Sequence, residues 1–290
     1  MMTFENWLRG TRDLSEATVA SYLQSMALFG QWFEQQNGRR FEPDELTLTD
    51  GKAWRRDLQR QRYAAATVNT RIAALRAFGE YRAATGSVNA VAELRNIQTQ
   101  ASGPKWLSVQ DEHRLRREFE IAVLRSRSGT IQAWRIAVRD RAIFEGLMLN
   151  AGLRVSEVCA LTIKDVTLRE RSGWVLVRAG KGNKERRVPL NRDAREALAV
   201  WVDRQATGSL FDMQARAVQR RLAVYAKAAM VECTPHQLRH TFAKRLTETD
   251  PPTSLQQIAA ILGHTRIDTT MLYVTPGQDD LAQSVERLSC

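Results

Sequence analysis

The chain has 290 residues, 43% of them hydrophobic, which suits roughly two globular domains and argues against a disordered protein. Its formal net charge is +11 at pH 7, which favours a polyanionic partner, nucleic acid first and an acidic membrane surface second. The three cysteines, Cys159, Cys233 and Cys290, have no C-x-x-C spacing and are typical of reduced thiols. Neither a membrane-span-length apolar run nor a signal-peptide pattern is present, so we expect a soluble cytoplasmic protein.

The first third of the chain predicts a helical domain over residues 1–97. Ser15 precedes a stripe of apolar residues that recur at steps of three and four, the spacing of one helix face. A second helix is expected to be capped by Thr49, and a third by Thr67. These helices would bury their apolar stripes against one another.

Basic residues concentrate in the second and third of these helices. Residues 51–82 carry eight basic and two acidic side chains, whereas residues 1–50 carry four basic and eight acidic ones. A solvated charged face is the ordinary alternative, but in a basic protein we expect contacts to DNA phosphates. The candidates are Lys52, Arg55, Arg56, Arg60, Arg62, Arg71 and Arg76.

A linker and a second domain follow. Residues 98–105 read Q-T-Q-A-S-G-P-K, where periodicity is lost and Ser, Gly and Pro gather. The second domain is expected over residues 106–290, beginning with a basic amphipathic helix capped by Ser108. The stretch from Trp134 to Leu149 is then helical and apolar.

Residues 173–190 interrupt the helical pattern. They read G-W-V-L-V-R, A-G-K-G-N-K-E and R-R-V-P-L, which predicts a β-hairpin with glycines and an asparagine at its turn. Lys181 and Lys184 fall at the tip of this hairpin. From there a cation can enter a DNA groove, although a lysine at a hairpin tip is more often only solvated.

An arginine in apolar surroundings occurs in L-N-A-G-L-R-V-S-E. Arg154 follows a glycine that ends one helix, and it lies at the start of the next. Arginine is rarely surrounded by so many core residues unless it is paired, and Glu157 is placed three residues later to hold its guanidinium. The pair is either purely structural or fixes the arginine for phosphate binding.

The segment T-P-H-Q-L-R-H predicts a helix that starts at Thr234. His236, Arg239 and His240 then share one face, because they are spaced by three and four residues. Two histidines at this spacing can bind zinc, but an arginine beside them is unfavourable for a metal. The other interpretations are a solvated helix face and an anion site.

A last cluster reads L-G-H-T-R-I-D-T-T-M-L-Y-V. His264 follows a glycine at an expected helix boundary, and Tyr273 comes nine residues later. Taken alone, a tyrosine between leucine and valine would be interpreted as a core residue.

Four of these segments together resemble the signature boxes of the tyrosine recombinase (phage integrase) family, most closely its Xer-like and integrase-like bacterial members. They are A-G-L-R-V-S-E, G-K-G-N-K-E-R, H-Q-L-R-H-T-F and L-G-H-T-R-I-D-T-T-M-L-Y. Residues 1–97 match only as a helical, basic profile like that of the family's core-binding domain. The resemblance implies a mainly α, two-domain DNA clamp, whose mixed α/β catalytic domain carries a small β-hairpin or sheet.

The resemblance also implies roles for particular residues. Tyr273 would attack a scissile phosphate that is surrounded by Arg154, Lys181, His236, Arg239 and His264. His236 would accept the tyrosine proton and Lys181 would protonate the leaving 5′ oxygen. Glu157 and His240 would support these groups, and neither a metal nor another cofactor would be required.

Assembly is implied in the same way. Such a protein would work as a homotetramer on double-stranded DNA with paired inverted core sites, through a Holliday junction, with or without accessory proteins. Its C-terminal helix, residues 279–289, would be donated to a neighbouring subunit, the alternative being that it packs on its own domain.

Three rival functions stay open at this point: relaxation of DNA as by a type IB topoisomerase, DNA binding by a regulator without catalysis, and zinc-dependent hydrolysis. The biological role also stays open between integration or excision of a mobile element, transposon resolution and chromosome dimer resolution.

Overall fold

The structure, a computed structural model, describes residues 2–11, 14–98, 105–178, 185–203 and 208–263. The chain divides into two compact units, residues 1–101 and 102–290. Both units are mainly helical and the second contains a small antiparallel sheet, so the predicted fold class is confirmed. Within the described ranges, no helix is long and apolar enough to cross a membrane.

In the part of the first unit that the structure describes there are four helices and a short 3-10 turn. They are α1 (Phe4–Thr11), α2 (Glu16–Asn37), the turn Pro43–Glu45, α3 (Leu48–Arg60) and α4 (Ala65–Ala84). Ser15 caps α2 as predicted, because its hydroxyl accepts a hydrogen bond from the backbone N–H of Thr18 at 3.2 Å. Large aromatic and aliphatic side chains of α2, α3 and α4 form the core, including Phe29, Trp54 and Ile72.

Two predicted helix caps in this unit are wrong, by two residues at α3 and by three at α4. The cap of α3 is Thr47 and not Thr49, because Thr47 and Asp50 exchange hydrogen bonds in a capping box. Helix α4 begins at Ala65, before the predicted Thr67, and no side chain caps its first turn. Packing of the buried face of α4 onto α2 and α3 therefore defines this helix better than its local cap does.

The second unit combines helices with a small sheet. The helical elements are α5 (Val109–Ser126), α6 (Ile131–Arg141), a π-helical continuation (Ala142–Leu149), α7 (Val155–Ala160), a 3-10 turn (Ile163–Asp165), α8 (Arg192–Val202), α9 (Ala215–Ala228), α10 (Pro235–Thr247) and α11 (Leu255–Leu262). The strands are β1 (Val166–Leu168), β2 (Gly173–Val177) and β3 (Arg186–Pro189).

The predicted hairpin is present as the antiparallel pair β2 and β3. Val175 lies opposite Val188, and Val175 also pairs with Val166 of β1 on the other side. The sequence did not predict β1, because three residues are too short to display an alternating pattern. Lys181 and Lys184, which the sequence places at the tip of this hairpin, lie outside the described residues.

The π-helical segment lies at the centre of the second unit. All eight of its residues are buried, and it packs against α8 and α10. It leads into Gly152, whose φ of +67° turns the chain just before Arg154. This fully buried segment therefore leads directly into the turn that carries Arg154.

Candidate active site

Helix α10 carries the two histidines of the predicted site. It begins where the sequence indicates, since Thr234 and Gln237 form a capping box and Pro235 lies in the first turn. His236 is exposed and His240 is half-buried, and their ring centroids are 6.4 Å apart. Among the residues that the structure describes, no group of three or more His, Cys, Asp or Glu side chains is arranged to hold a metal ion.

Arg239 occupies a different environment from these histidines. Its side chain is only 4% exposed, and its two terminal nitrogens donate to the carbonyl oxygens of Gly152 at 2.6 Å and Leu262 at 2.7 Å. The solvated-face interpretation is therefore wrong for Arg239. This guanidinium connects α10 with the turn before Arg154 and with the C-terminal end of α11.

Arg154 lies at the N-cap of α7, where the sequence indicates. Glu157 accepts two hydrogen bonds from it, one from the backbone N–H and one from Nη1, both at 2.8 Å. The predicted pairing of these two residues is thus present. The Arg154 side chain remains 36% exposed, which leaves part of the guanidinium accessible.

The turn before Arg154 requires a glycine. Gly152 has a positive φ, and a Cβ at this position would lie 2.4 Å from a ring carbon of Phe242 in α10. The close approach of Gly152 to α10 also brings its carbonyl oxygen within reach of Arg239. A packing requirement therefore underlies the glycine of the A-G-L-R segment.

A third arginine, which the sequence analysis did not single out, completes the cluster. Arg186 of β3 donates to both carboxylate oxygens of Glu157, from Nη1 at 3.0 Å and from Nη2 at 2.9 Å. Its only signal in the sequence is its place at the end of G-K-G-N-K-E-R. We call Arg154, Arg186 and Arg239 with Glu157 the arginine cluster.

Electrostatics in the arginine cluster favour an anion. Burial alone would raise the pKa of Glu157, but hydrogen bonds from Arg186 and from the Arg154 backbone, with the charges of both arginines, hold it below its usual value. Glu157 is thus ionised at neutral pH, and three guanidinium groups share one carboxylate. The excess positive charge suits a phosphate group.

His240 is uncharged at neutral pH. Burial first, and then the nearby His236 and Arg239, lower the pKa of its imidazole below the ordinary 6.5. A neutral imidazole can accept one hydrogen bond and donate another. His240 can therefore orient a neighbouring group without adding charge.

Besides Lys181, two further predicted catalytic residues lie outside the described residues. His264 directly follows Gly263, the C-cap of α11, and Tyr273 lies further along the chain. Helix 279–289 is likewise outside the described part. The structure therefore brings together Arg154, Glu157 and Arg239, and it places His236 and His240 on the helix that carries Arg239.

In the first unit, three of the seven predicted DNA-binding residues line one surface depression. Lys52, Arg55 and Arg76 share it with residues 92–95. Arg55 donates to the carbonyl oxygen of Arg95 at 2.8 Å, and Arg76 donates to Asn96 at 3.2 Å. These contacts hold the two arginines at the edge of the depression.

The other four candidates differ in their surroundings. Arg56 and Arg62 are exposed, whereas Arg71 stacks over the ring of Tyr63, 4.0 Å from its centroid. Arg60 is paired with Asp57 at 2.7 Å. The basic stretch thus presents several accessible cations, one of them combined with an aromatic ring.

Comparison with known proteins identifies the family. The model of the phage integrase family matches residues 124–278, and that of the phage integrase N-terminal SAM-like domain matches residues 2–86. The chain belongs to the phage integrase family and is a tyrosine recombinase of the Xer and integrase type.

Individual relatives span nearly the whole chain. Tyrosine recombinase XerC of Vibrio parahaemolyticus serotype O3:K6 is 30% identical, over 98% of this chain and 90% of its own length. Tyrosine recombinase XerC of Escherichia coli O1:K1 / APEC is 29% identical, over 92% of this chain and 88% of its own.

Solved structures share the fold at lower identity. XerH site-specific recombinase bound to a palindromic difH substrate superposes with a TM-score of 0.74 at 17% identity, covering 97% of this chain and 83% of that one. The Tn1549 transposon integrase in complex with transposon right end DNA gives a TM-score of 0.70 at 18% identity, covering 99% and 98%.

Proposed function

We propose that this tyrosine recombinase cuts and rejoins DNA strands at specific sites through a 3′-phosphotyrosyl intermediate and a Holliday junction. Site-specific recombination of DNA is the activity of its class. The observation that carries the proposal is the arginine cluster. Two arginines of the family boxes, Arg154 and Arg239, meet at the C-terminal end of α11 and are held there by one carboxylate and by backbone carbonyls.

Rigid cations suit the electrostatics of this reaction. Phosphoryl transfer builds negative charge on the non-bridging oxygens, and donors fixed before the reaction stabilise that charge without reorganising. Glu157 fixes Arg154 and the carbonyl oxygens of Gly152 and Leu262 fix Arg239. We assign both arginines to the phosphate, together with His264.

Tyr273 is the proposed nucleophile. Of the five tyrosines in the sequence, Tyr225 also belongs to the second unit, but it is 6% exposed and its hydroxyl contacts Asp140 at 3.2 Å. Burial and the Asp140 charge raise the pKa of Tyr225 to about 12. Tyr225 is therefore unsuited to attack a DNA phosphate, which leaves Tyr273 in this unit.

Proton transfer is assigned to side chains on either side of the phosphate. The exposed His236 accepts or orients the proton of Tyr273, with the neutral His240 supporting it, and Lys181 protonates the leaving 5′ oxygen. The phosphotyrosine retains the energy of the phosphodiester, so the 5′ hydroxyl of another strand can reseal the DNA without ATP. In this scheme neither step uses a metal ion.

We assign different roles to the two units. Residues 1–97 form the core-binding domain, residues 98–105 the linker and residues 106–290 the catalytic domain. The residues assigned to phosphate contacts are Lys52, Arg55, Arg56, Arg60, Arg62, Arg71, Arg76 and Lys184. Four copies assemble on paired inverted core sites, exchange helix 279–289 between neighbours and act in the cytoplasm, with accessory proteins where the site demands them.

The test is covalent capture on nicked suicide duplexes built from DNA that flanks the gene. The protein is incubated with EDTA and without ATP, and the products are separated on a denaturing gel. We expect a protein–DNA adduct that is lost in Tyr273→Phe and kept in Tyr225→Phe. Tight binding without an adduct would instead favour a non-catalytic regulator, and plasmid relaxation without strand exchange a topoisomerase.

A further inference from the structure

Arg186 has an unusual set of contacts for an arginine next to a hairpin. Its side chain is 14% exposed, and all three of its nitrogens donate to protein acceptors. Nη1 and Nη2 bind the Glu157 carboxylate in a fork, and Nε donates to the carbonyl oxygen of Ile261 at 2.8 Å. Arg186 therefore connects three elements, namely β3, α7 and α11.

The carbonyl of Ile261 belongs to the last turn of α11, where backbone acceptors have no partner within the helix. Arg239 and Arg154 bind the same turn, through the carbonyl oxygens of Leu262 and Gly263 at 2.7 and 3.3 Å. All three arginines of the cluster thus converge on one helix end, and Glu157 lies among them.

The fit between Arg186 and this helix end is close. A Cβ on Gly263 would lie 2.7 Å from Nη1 of Arg186, so a side chain at this position would require the guanidinium to shift. Gly263 has a φ of +66° and is followed directly by His264 in the sequence. The position of Arg186 therefore affects the point at which the chain leaves α11.

We propose that Arg186 is a positioning residue for DNA cleavage, an inference that rests on the proposed function. Arg186 holds the Glu157 carboxylate in the orientation that fixes Arg154. It also holds the last turn of α11, whose Leu262 carbonyl oxygen accepts a hydrogen bond from Arg239. In this proposal Arg186 acts through Glu157 and α11 and not by contacting the DNA phosphate, and its Nε, Nη1 and Nη2 all donate to protein acceptors.

The charge of Arg186 contributes as well as its shape. Its hydrogen bonds and its charge are among the influences that lower the pKa of Glu157. Without Arg186, the carboxylate would protonate at a higher pH and would then release Arg154. Removal of Arg186 should therefore move the acidic limb of the cleavage rate to higher pH, an effect that simple loosening of the fold would not produce.

The experiment compares Arg186→Ala and Arg186→Lys with Arg187→Ala. Arg187 is the adjacent residue of β3, but it is exposed and lies over the ring of Trp174, 5.9 Å from its centroid. Single-turnover cleavage of the nicked duplex is measured at saturating DNA across pH, and DNA affinity is measured by gel shift.

In Arg186→Ala we expect cleavage to fall about 100-fold, as for a misplacement of catalytic groups by about 1 Å, with unchanged DNA affinity. Arg186→Lys should recover part of the rate, since lysine restores the charge but not the fork. Arg187→Ala should cleave like the unmodified protein. Cleavage by Arg186→Ala at the normal rate would overturn the proposal, and so would a loss of affinity equal to the loss of cleavage.

A second measurement does not depend on activity. Hydrogen–deuterium exchange of the full chain reports on two backbone N–H groups. That of Arg154 donates a hydrogen bond to Glu157, and that of Gly263 donates to Ala260 at the end of α11. Both should exchange faster in Arg186→Ala and not in Arg187→Ala. If the unmodified protein forms no adduct, the proposed function fails, and unchanged exchange in Arg186→Ala would separately refute the positioning role.

Discussion

Replacing Glu157 by glutamine removes the negative charge from the arginine cluster while nearly preserving its shape. Glu157 is 12% exposed and accepts hydrogen bonds from Arg154 and Arg186 on both of its oxygens. In glutamine, one oxygen becomes an amide nitrogen that faces guanidinium donors. At least one side of the fork is therefore lost, and the three guanidinium groups that share Glu157 lose their common countercharge.

The size of the decrease in the free energy of unfolding follows from this loss of countercharge. Removing one partner of a buried ion pair costs about 3–5 kcal/mol, and the partial exposure of Arg154 places Glu157→Gln near the lower end, at about 3 kcal/mol. The free energy of unfolding of the second unit is measured by urea titration at pH 7. Glu196→Gln is the control, because Glu196 forms a similar 2.7 Å pair with Arg192 on an exposed surface, and it should produce no measurable change.

The pH dependence has a definite sign. The pKa of Glu157 is lower in the folded protein than the ordinary 4.5, so its stabilising effect is fully present above about pH 4.5. It is lost as the pH falls through the folded-state pKa. The stability difference between the unmodified protein and Glu157→Gln should therefore shrink in acid. A difference that is absent at pH 7, or that is the same at pH 3 and pH 7, would refute the reasoning.

Three further changes test other parts of the second unit. Gly152→Ala should lower the free energy of unfolding by about 2–4 kcal/mol in urea titration, because the new Cβ collides with Phe242 and the backbone has a positive φ. Tyr225→Phe should cost about 1 kcal/mol by the same method, through the lost contact to Asp140; a gain in stability would contradict this. The pKa of His240 is lower in the folded protein than in the unfolded chain, so the free energy of unfolding should decrease as the pH falls below about 6.5. His240→Gln should remove that decrease. An NMR titration that gives the His240 imidazole a pKa at or above about 6.5 would refute this prediction.

Local sequence was sufficient where the deciding contacts lie within one turn. Thr234 and Pro235 specify the start of α10, and the spacing of Arg154 and Glu157 by three residues specifies their hydrogen bond. Local reasoning was wrong at the starts of α3 and α4. At α3 the start is set by the local capping box of Thr47 and Asp50, which the choice of Thr49 overlooked. At α4 no side chain caps the first turn, and packing of the buried helix face defines the helix.

The environment of Arg239 illustrates the limit of a helical spacing rule. Spacing placed it on one face with His236 and His240, and that is correct along the helix. The rule cannot show that the guanidinium is buried while His236 is exposed, because the carbonyl oxygens that bind it lie 87 and 23 residues away in the sequence.

The sequence by itself determined the mainly helical class, the strand pair of the hairpin and the residue types that resemble a tyrosine recombinase. These follow from periodicity, capping and motif spacing, which act over a few residues. Only the tertiary structure decided that Arg186 joins Glu157, 29 residues away, and that three arginines meet at the end of α11. Such contacts depend on how β3, α7, α10 and α11 pack together, because a buried charge needs an acceptor, and for Arg186 and Arg239 that acceptor comes from distant parts of the sequence.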